Sequence, residues 1–405
     1  MTHKVSLTKK YLMKQFITGL GQISHLGQNV KMALETLRTS GPDKLLSLSP
    51  EHLESEASPD MEMDLSQDLP KGDHIRANIL SILAIEEAIA QAGLTSEDIS
   101  KYRIGVCVGS TSACTISYPP FGFALHRGTL EDTTPFKNYF FNSPCNTIMD
   151  HFKFKGPSLM INNACTSGTD AIGLGKLWLA QGKCDIVIAG GVDCIFENIY
   201  FGFRSLKLTA PKHTKPFDQS REGLVLGEGA GYVVLENEVI AAERKSKPLA
   251  IVAGYGLGTD SHHPTTPHPE ARGLNIAINH ALKMSSLTHS DIELVNAHAT
   301  GTEANDLVEG RFLKKHFDHC PIFATKGYTG HTLGAAGAIE VIIGVLCLRE
   351  EFVPSSLGHE NCDPEIGLSP NLEFKNHQAR NFLSTSLGFG GSNAAIIIEN
   401  IEECV

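Results

Sequence analysis

Residues 158–180 read SLMINNACTSGTDAIGLGKLWLA, and this stretch decides the fold class. A short apolar run, 158–161, leads into a turn of small polar residues, after which apolar residues recur at helical spacing from Thr169 to Ala180. The pattern predicts a buried strand, a tight turn and a helix that packs on the sheet. Cys165 lies in the turn, so we expect it at the N-terminus of that helix.

The same succession of an apolar run, a glycine-rich turn and a helical segment recurs along the chain. Further runs of this kind are FITGLG (16–21), IGVCVGS (104–110), IVIAGGVD (186–193), AIVAGYGLG (250–258), LVNAHATGT (294–302) and FLSTSLGFGGSN (382–393). Strands that alternate with helices form a parallel or mixed sheet covered on both faces. The sequence therefore predicts an α/β protein.

Two pairs of segments resemble each other. FITGLG (16–21) resembles IVAGYGLG (251–258), and NNACTSGTDAIG (162–173) resembles TSLGFGGSNAAI (385–396), in similar order within two halves of the chain. Either an internal duplication or the shared chemistry of strand, turn and helix accounts for such short matches. Both explanations stay open at the level of the sequence.

The charged stretch ERKSKP (243–248) separates the two halves. We therefore expect an N-terminal half, residues 1–247, and a C-terminal half, residues 248–405. Residues 48–73 differ from the rest of the chain, because acidic side chains lie there among prolines and serines. This composition indicates a solvated surface excursion of the N-terminal half.

Charge and composition exclude several classes of function. The 405 residues include 34 basic and 45 acidic side chains, for a net charge of -11, so we expect neither a nucleic acid nor a membrane as a partner. The longest apolar run, Ala338 to Leu348, is shorter than the roughly 20 residues of a membrane span, and residues 1–15 lack the apolar core of a signal peptide.

The ten cysteines include no CxxC pair or zinc spacing. We expect a cytoplasmic protein without a metal site.

Cys165 is the first candidate for a catalytic residue. The free N–H groups and the dipole at the start of a helix stabilise a thiolate, which is the nucleophilic form of cysteine. Position alone is also compatible with a small buried core thiol. The small polar residues around it, NNACTSG, favour a reactive site because they would form a poor core.

Two histidines lie in turns rich in glycine and threonine. His298 is part of VNAHATGT, and His331 is part of ATKGYTGHTLGAAGA, five residues after Lys326. A single histidine at a strand end is more often structural, but two in the same context favour a shared site. The turn GFGGSN (388–393) is either a plain connection or a place where a backbone N–H approaches a ligand, as an oxyanion hole requires.

In this order, the four segments resemble the motifs of the β-ketoacyl-acyl-carrier-protein synthase family, within the thiolase superfamily. ACTSG matches the nucleophile, NAHATGT resembles NAHGTxT, TKGYTGHTLGAAGA resembles TKxxxGHxxGAAG, and SLGFGGSN resembles SFGFGGxN. The similarity covers nearly the whole chain, including KPFDQSREGLVLGEGAG (215–231), and points to the β-ketoacyl synthase I and II groups. It implies a thiolase-like five-layered αβαβα fold built from two related halves.

The resemblance also implies a mechanism. Cys165 would take the acyl chain from an acyl carrier protein as a thioester, with an oxyanion hole made by the backbone N–H groups of Cys165 and Phe389. His298 and His331, as neutral imidazoles, would donate hydrogen bonds to the malonyl acceptor and stabilise the enolate left when carbon dioxide departs. No separate cofactor is implied, since the phosphopantetheine of the carrier protein holds the substrates.

Lys326 and Glu309 match family positions that orient the histidines, and Asp306, one helical turn from Glu309 on the same face, is a third supporting residue. Thr300 and Thr302 match positions that hydrogen-bond the pantetheine arm, and Phe389 is the expected gate over the cysteine. The sequence departs from the family at Leu387, where phenylalanine is usual. A second departure is Ser112, in a turn that often carries a bulky aliphatic residue. We predict that Ser112 widens or lengthens the acyl pocket.

The docking surface for the carrier protein is a third departure. Family members often carry basic residues where this chain has the acidic stretch 48–73. The best remaining basic cluster lies in FRSLKLTAPKHTK (203–215), and we predict docking through Arg204, Lys207, Lys212 and Lys215.

Three related functions fit the sequence less well. A degradative thiolase would carry a second cysteine near the turn that reads SLGFGGSN here, and a chain-priming synthase would more often carry asparagine in place of His331. A catalytically silent chain-length factor would lack Cys165. We therefore expect an active condensing enzyme for fatty acids, polyketides or polyenes. Because the family is dimeric, its partner is either a second copy or a chain-length-factor-like paralogue.

Overall fold

The computed structural model of the protein describes residues 13–39, 76–112, 126–129 and 144–401. The surface excursion predicted at 48–73 lies outside these residues. The strands are β1 (Gln15–Ile23), β2 (Ile104–Gly109), β3 (Ser158–Ile161), β4 (Ile186–Asp193), β5 (Gly229–Asn237), β6 (Ala250–Thr259), β7 (Leu294–Asn296), β8 (Ile322–Phe323), β9 (Phe352–Val353), β10 (Lys375–Asn376), β11 (Asn381–Gly388) and β12 (Ser392–Asn400).

The helices among the described residues are α1 (Val30–Arg38), α2 (Arg76–Ala92), α3 (Ser96–Lys101), α4 (Pro144–Phe152), α5 (Ser167–Gln181), α6 (Glu197–Ser205), α7 (Glu238–Arg244), α8 (Arg272–Ser285), α9 (Glu303–Phe317), α10 (Lys326–Thr329) and α11 (Ala336–Arg349). Short 3-10 turns lie at His289–Asp291, Leu333–Ala335 and Phe389–Gly391.

Ten of the strands form one mixed sheet, in the order β3-β2-β4-β5-β1-β6-β12-β11-β7-β8. In the N-terminal half, β2 pairs in parallel with β3 and β4, and β5 pairs antiparallel with β4 and β1. The C-terminal half repeats the pattern: β7 pairs in parallel with β8 and β11, and β12 pairs antiparallel with β11 and β6. A short antiparallel ladder between β1 and β6 joins the two half-sheets.

Helices cover both faces of each half-sheet. The central helices α5 and α11 contact strands of both halves, whereas α2 packs on the N-terminal half-sheet and α8 on the C-terminal one. Alternate residues of β4 face these layers, since Ile186 and Ile188 pack in the cluster with α2 while Val187 and Ala189 pack in the cluster with α5 and α11. The layers are therefore helix, half-sheet, helix, half-sheet, helix, which confirms the predicted thiolase-like αβαβα fold.

The strand order supports internal duplication over coincidence. Each half runs through the same order of elements, β1, α2, β2, β3, α5, β4, β5 in the first and β6, α8, β7, β8, α11, β11, β12 in the second. FITGLG and IVAGYGLG lie in the equivalent strands β1 and β6. The second predicted pair is wrong: NNACTSG lies between β3 and α5, so its equivalent is the segment between β8 and α11 that holds His331. TSLGFGGSN is the turn between β11 and β12, equivalent to the link from β4 to β5.

A close approach of the two central helices positions the site. A Cβ atom on Gly168, in the first turn of α5, would lie 2.6 Å from the carbonyl oxygen of Gly334 and 3.0 Å from the backbone nitrogen of Ala338 in α11. Any side chain at residue 168 would push the helices apart. The contact brings the turn that holds Cys165 next to the segment that holds His331.

Helix α11 is apolar on all sides and buried along nearly its whole length, because it lies between the two half-sheets. Within the described ranges, none of the helices has both the length and the hydropathy of a membrane span. The predicted boundary between residues 247 and 248 falls between α7 and β6, and we keep it as the proposed boundary of the halves.

Candidate active site

Cys165 lies in the tight turn between β3 and α5. Ala164 has a φ of 51°, and α5 begins at Ser167. The cysteine side chain is only 6% exposed. Burial raises the pKa of Cys165 to about 12, although the charge of Lys326 and the backbone N–H groups of Phe389 and Cys165 oppose this shift. The thiolate expected from the helix N-terminus is therefore not the resting form, and Cys165 rests as the thiol at neutral pH.

His331 lies beside the cysteine. Its backbone N–H donates to the carbonyl oxygen of Val225 at 2.7 Å, and its ring nitrogen Nε2 lies 3.0 Å from Sγ of Cys165. Burial, followed by the charge of Lys326, lowers the pKa of His331 well below its usual value, so the ring is neutral. Nδ1 is buried without a hydrogen-bond partner among the described residues. Either ring nitrogen can therefore carry the proton.

His298 follows β7 and faces His331 edge to face, with ring centroids 5.1 Å apart and an interplanar angle of 84°. Its Nδ1 lies 3.3 Å from Nζ of Lys326. An ammonium group can only donate, so Nδ1 accepts and the ring proton lies on Nε2. Burial, followed by the charge of Lys326, lowers the pKa of His298 well below its usual value. His298 is therefore a neutral imidazole with a fixed donor.

Glu340 holds Lys326 in place. The Nζ of Lys326 lies 2.5 Å from Oε1 of Glu340, and both side chains are almost fully buried. Glu340 was not predicted from the sequence. The signal that could have found it is a single carboxylate in the apolar helix α11, since a buried carboxylate requires a buried partner.

Glu309 and Asp306 hold the backbone of the turn after His298. Glu309 accepts hydrogen bonds from the backbone N–H groups of His298 at 2.8 Å and Ala299 at 2.7 Å. Asp306 accepts one from the backbone N–H of Gly301 at 3.1 Å. Burial, which outweighs the hydrogen bonds from the backbone N–H of Phe217 and from Asn305, raises the pKa of Asp306 to about 6. Both carboxyl groups act on the turn rather than on the histidine rings.

Phe389 begins the turn between β11 and β12. Its ring stacks on Phe203 of α6, with centroids 5.4 Å apart and an angle of 27° between the planes. Gly390 and Gly391 have φ values of 81° and 80°, a backbone conformation that favours glycine. The backbone N–H of Phe389 interacts with the thiol of Cys165, as does the N–H of the cysteine itself. Both N–H groups therefore favour the charged form of the sulfur, against the effect of burial.

A cavity of about 440 Å³ opens onto Cys165. Its lining includes both histidines, the hydroxyl-bearing residues Thr300 and Thr302, the rings of Phe203 and Phe389, and Lys207. The Oγ1 atoms of Thr300 and Thr302 lie 2.9 Å apart. The lining of the cavity thus holds a pair of hydroxyl groups together with the nucleophile.

Ser112 is buried, and its hydroxyl donates to a carboxylate oxygen of Asp193 at 2.6 Å. It does not line the cavity on Cys165. Residues 113–125 lie outside the described residues, so an influence of Ser112 on the acyl pocket stays a prediction.

Asp193, at the end of β4, was missed by the sequence analysis. Its buried carboxylate accepts hydrogen bonds from the segment 110–112 and from the backbone N–H of Gly334, the latter at 2.6 Å. Gly334 lies three residues after His331, so Asp193 joins the two halves beside the site. An aspartate that ends a fully buried strand needs such donors, and this was the available signal.

The basic residues predicted for docking lie on and after α6. Arg204, Lys207 and Lys212 are exposed, whereas Lys215 is half-buried with its Nζ 3.1 Å from Oγ of Ser220. The same helix and its C-terminal end expose two apolar side chains, Phe201 at 55% and Leu206 at 51%.

The donor atoms of Cys165, His298 and His331 lie within 4.8 Å of one another, and all three are residue types that bind metals. The ammonium of Lys326 beside His298 opposes a cation, and a thiol must lose its proton to become a strong ligand. The arrangement favours nucleophilic catalysis.

Two family models match the chain. The model described as Beta-ketoacyl synthase, N-terminal domain, matches residues 75–241, and Beta-ketoacyl synthase, C-terminal domain, matches residues 249–360. Among curated relatives, 3-oxoacyl-(acyl-carrier-protein) synthase 2 of Coxiella burnetii is 31% identical over 95% of this chain and 98% of that protein. The tetracenomycin polyketide synthase ketoacyl synthase alpha subunit of Streptomyces glaucescens is 30% identical over 81% of this chain and 82% of that protein.

A solved structure described as the ishigamide ketosynthase/chain length factor matches with a TM-score of 0.84 and 25% identity, covering 96% of this chain and 100% of that chain. These matches confirm the resemblance that the motifs indicated.

Proposed function

Because the chain belongs to the β-ketoacyl synthase family, we propose that it carries an acyl chain on Cys165 and condenses it with malonyl-acyl carrier protein. The observation that carries the proposal is the 3.0 Å distance between Nε2 of His331 and Sγ of Cys165, with His298 in edge-to-face contact with His331. A nucleophile and two neutral imidazoles in one buried site fit acyl transfer followed by stabilisation of an enolate.

In the first half-reaction, Sγ of Cys165 attacks the carbonyl carbon of an acyl thioester on the carrier protein. Since burial raises the pKa of Cys165 to about 12, attack at neutral pH needs a nearby base. Nε2 of His331 accepts the thiol proton and passes it to the sulfur of the departing pantetheine. The N–H groups of Cys165 and Phe389 hold the oxyanion of the tetrahedral intermediate.

In the second half-reaction, malonyl thioester enters, and its thioester carbonyl accepts hydrogen bonds from Nε2–H of His298 and from Nε2–H of His331, whose ring proton has moved from Nδ1 to Nε2 by exchange with water. Cleavage of the bond to the carboxylate releases carbon dioxide and leaves the electron pair on the enolate. The enolate carbon attacks the carbonyl carbon of the acyl-Cys165, and Sγ leaves with the bonding electrons as a thiolate, which takes up a proton from water. The product is a β-ketoacyl thioester on the carrier protein.

The substrates reach the site on the phosphopantetheine of the carrier protein. The hydroxyl groups of Thr300 and Thr302, which line the cavity, are the proposed partners of the pantetheine amides. The carrier protein itself docks on the exposed basic side chains around α6, including Arg204 and Lys212. The pathway is the assembly of fatty acids or of polyketides, since relatives of both kinds match the chain.

A second candidate is a ketosynthase subunit that is active only together with a chain-length-factor-like paralogue. Strand β3 favours pairing with another chain, whether a copy or a paralogue, because it is the last strand of the sheet among the described residues and Leu159 is 43% exposed there. Size-exclusion chromatography and activity of the chain alone, compared with the chain co-expressed with a paralogue, separate the two. An active homodimer supports the first candidate, and activity confined to the mixed complex supports the second.

The proposed function is tested by supplying acyl- and malonyl-acyl carrier proteins and measuring the β-ketoacyl product together with carbon dioxide. The wild type is expected to release both, and Cys165→Ala is expected to form no condensation product. Product formation by Cys165→Ala at the wild-type rate would overturn the assignment.

A further inference from the structure

The two proposed oxyanion donors come from different halves of the molecule. The N–H of Cys165 belongs to the turn between β3 and α5, and the N–H of Phe389 belongs to the turn between β11 and β12. A tetrahedral oxyanion is stabilised only when both donors lie at hydrogen-bond distance from the same point. Something must therefore fix the separation of the two turns.

A chain of hydrogen bonds runs between these turns. The Oγ of Ser392, in the Phe389 turn, donates to Oδ1 of Asn163 at 2.6 Å. Nδ2 of Asn163, in the cysteine turn, donates to Oδ2 of Asp170 at 2.7 Å. Asp170 lies in α5 and is buried. We call Asp170, Asn163 and Ser392 the latch.

Asp170 determines the direction of every bond in the latch. An ionised carboxylate can only accept, so the amide of Asn163 must turn its NH2 group toward Asp170 and its oxygen toward Ser392. Asp170 is held in turn by the hydroxyl of Tyr255, in β6, which donates to Oδ1 at 2.9 Å, and by the hydroxyl of Thr166, which donates to Oδ2 at 2.8 Å. The amide orientation is therefore fixed from the C-terminal half as well.

The backbone around the latch is closely packed. A Cβ atom on Gly388 would lie 3.2 Å from the backbone nitrogen of Cys165. On its other side, the Phe389 turn is anchored by the backbone N–H of Gly390, which donates to the carbonyl oxygen of Pro264 at 2.7 Å. A small displacement of Ser392 would consequently move the N–H of Phe389 relative to Cys165.

We propose that the latch is a positioning device for acyl transfer. Asp170 orients Asn163, and Asn163 holds Ser392 so that the two oxyanion donors keep a fixed separation. This inference rests on the proposed function, because it concerns the oxyanion hole of that reaction. The three latch residues position backbone donors and do not themselves touch the reacting atoms. Acyl transfer through the tetrahedral intermediate should depend on the latch, whereas decarboxylation by the histidines should not.

The test compares the single-turnover rate constant for acylation of the protein by an acyl-acyl carrier protein with the rate of malonyl decarboxylation. Asn163→Ala and Ser392→Ala are each expected to slow acylation about 10- to 100-fold, since loss of a whole oxyanion donor costs more. Decarboxylation should stay within about threefold of the wild type. The double variant should be no slower than the slower single variant, because both changes break one hydrogen bond.

Two controls separate positioning from general damage. Ser392→Thr keeps the hydroxyl and should restore acylation lost in Ser392→Ala. Thr169→Ala removes another hydrogen bond between the halves, the 2.9 Å contact of Thr169 Oγ1 with Ser386 Oγ, and should leave acylation near the wild-type rate. An equal loss of acylation and decarboxylation in the latch variants, or an equal loss in Thr169→Ala, would overturn the proposal.

Cys165→Ala distinguishes failure of the latch from failure of the proposed function. If Cys165→Ala takes up no acyl group while Asn163→Ala and Ser392→Ala acylate at the wild-type rate, the latch alone is wrong. If Cys165→Ala is still acylated, the proposed nucleophile is wrong, and the proposed role of the latch is wrong as well.

Discussion

At the scale of single residues, the two histidines differ in what their rings contact. Nε2 of His331 lies 3.0 Å from the cysteine sulfur, whereas Nδ1 of His298 lies 3.3 Å from Nζ of Lys326. His331 can therefore act in both half-reactions, first as the acceptor of the thiol proton and then as a donor to the enolate. His298 has its proton fixed on Nε2 and can act only as a donor.

This difference between the two histidines predicts different acylation rates for His331→Ala and His298→Ala. His331→Ala should slow acylation of Cys165 about 10- to 100-fold, because it removes the base beside a thiol with a raised pKa. His298→Ala should leave acylation within about threefold of the wild type, while both variants lose malonyl decarboxylation. Quenched-flow mass spectrometry measures the acyl adduct, and trapped carbon dioxide measures decarboxylation. Equal acylation rates in the two variants would show that His331 is not the base.

The residues that act through motifs could be predicted from the sequence, and those that act through buried pairing could not. Cys165, His298 and His331 each lie in a glycine- or threonine-rich turn, which marks them in the chain. Glu340 and Asp193 lie inside apolar elements, and their partners become neighbours only when the two halves pack. The resting thiol was also unforeseen, because the sequence shows the helix N-terminus but not the burial that outweighs it.

At the scale of elements, a lysine fastens the central layer to both half-sheets. Lys176 of α5 is mostly buried, and its Nζ donates to Oε1 of Gln15 in β1 at 2.5 Å and to the carbonyl oxygen of Val252 in β6 at 2.7 Å. Neither acceptor is a carboxylate. Burial lowers the pKa of Lys176 to about 8, so the folded protein binds this proton less tightly than the unfolded chain does.

This shift predicts a dependence of stability on pH. Because the folded-state pKa lies below the unfolded value, the cost of charging Lys176 is fully present below pH 8 and disappears as the pH rises toward the unfolded pKa. The free energy of unfolding of the wild type, minus that of Lys176→Met, should rise by up to about 3 kcal/mol between pH 7 and pH 10. Urea unfolding at fixed protein concentration measures both. A difference that stays flat across this range would contradict the shift.

The elements themselves were largely predictable, but their equivalence was not. Apolar runs and helical spacing indicate the strands and central helices because burial on both faces leaves a plain hydrophobic signature. The similarity of NNACTSG to TSLGFGGSN suggested the wrong pair of equivalent segments, because glycine-rich turns at strand ends have similar sequences whether a helix or a strand follows. Only the pairing of strands shows that the segments of Cys165 and His331 are the equivalent ones.

At the scale of the whole molecule, the basic residues near the cavity stand out against a net charge of -11. Arg204 and Lys212 are exposed, and α6 also carries Phe203, which stacks on Phe389 at the cavity. We therefore expect an acidic carrier protein to be attracted to this part of the surface.

Charge reversal tests the docking surface. Arg204→Glu and Lys212→Glu should each raise the KM for acyl-acyl carrier protein about 10-fold and leave kcat within about twofold. The difference in KM between each variant and the wild type should become smaller at high salt, because salt screens the charges. Lys283→Glu, which makes the same charge change on an exposed residue of α8, is the matched control. An equal effect of the control would mean that net charge rather than a docking site sets the KM.

The central claim is that Cys165 carries the acyl chain, and intact mass spectrometry tests it most directly. The protein is incubated with acyl-acyl carrier protein in the absence of malonyl donor, and wild type and Cys165→Ala are compared. We expect one acyl adduct on the wild type and none on Cys165→Ala. An acyl adduct of the same mass and yield on Cys165→Ala would contradict it.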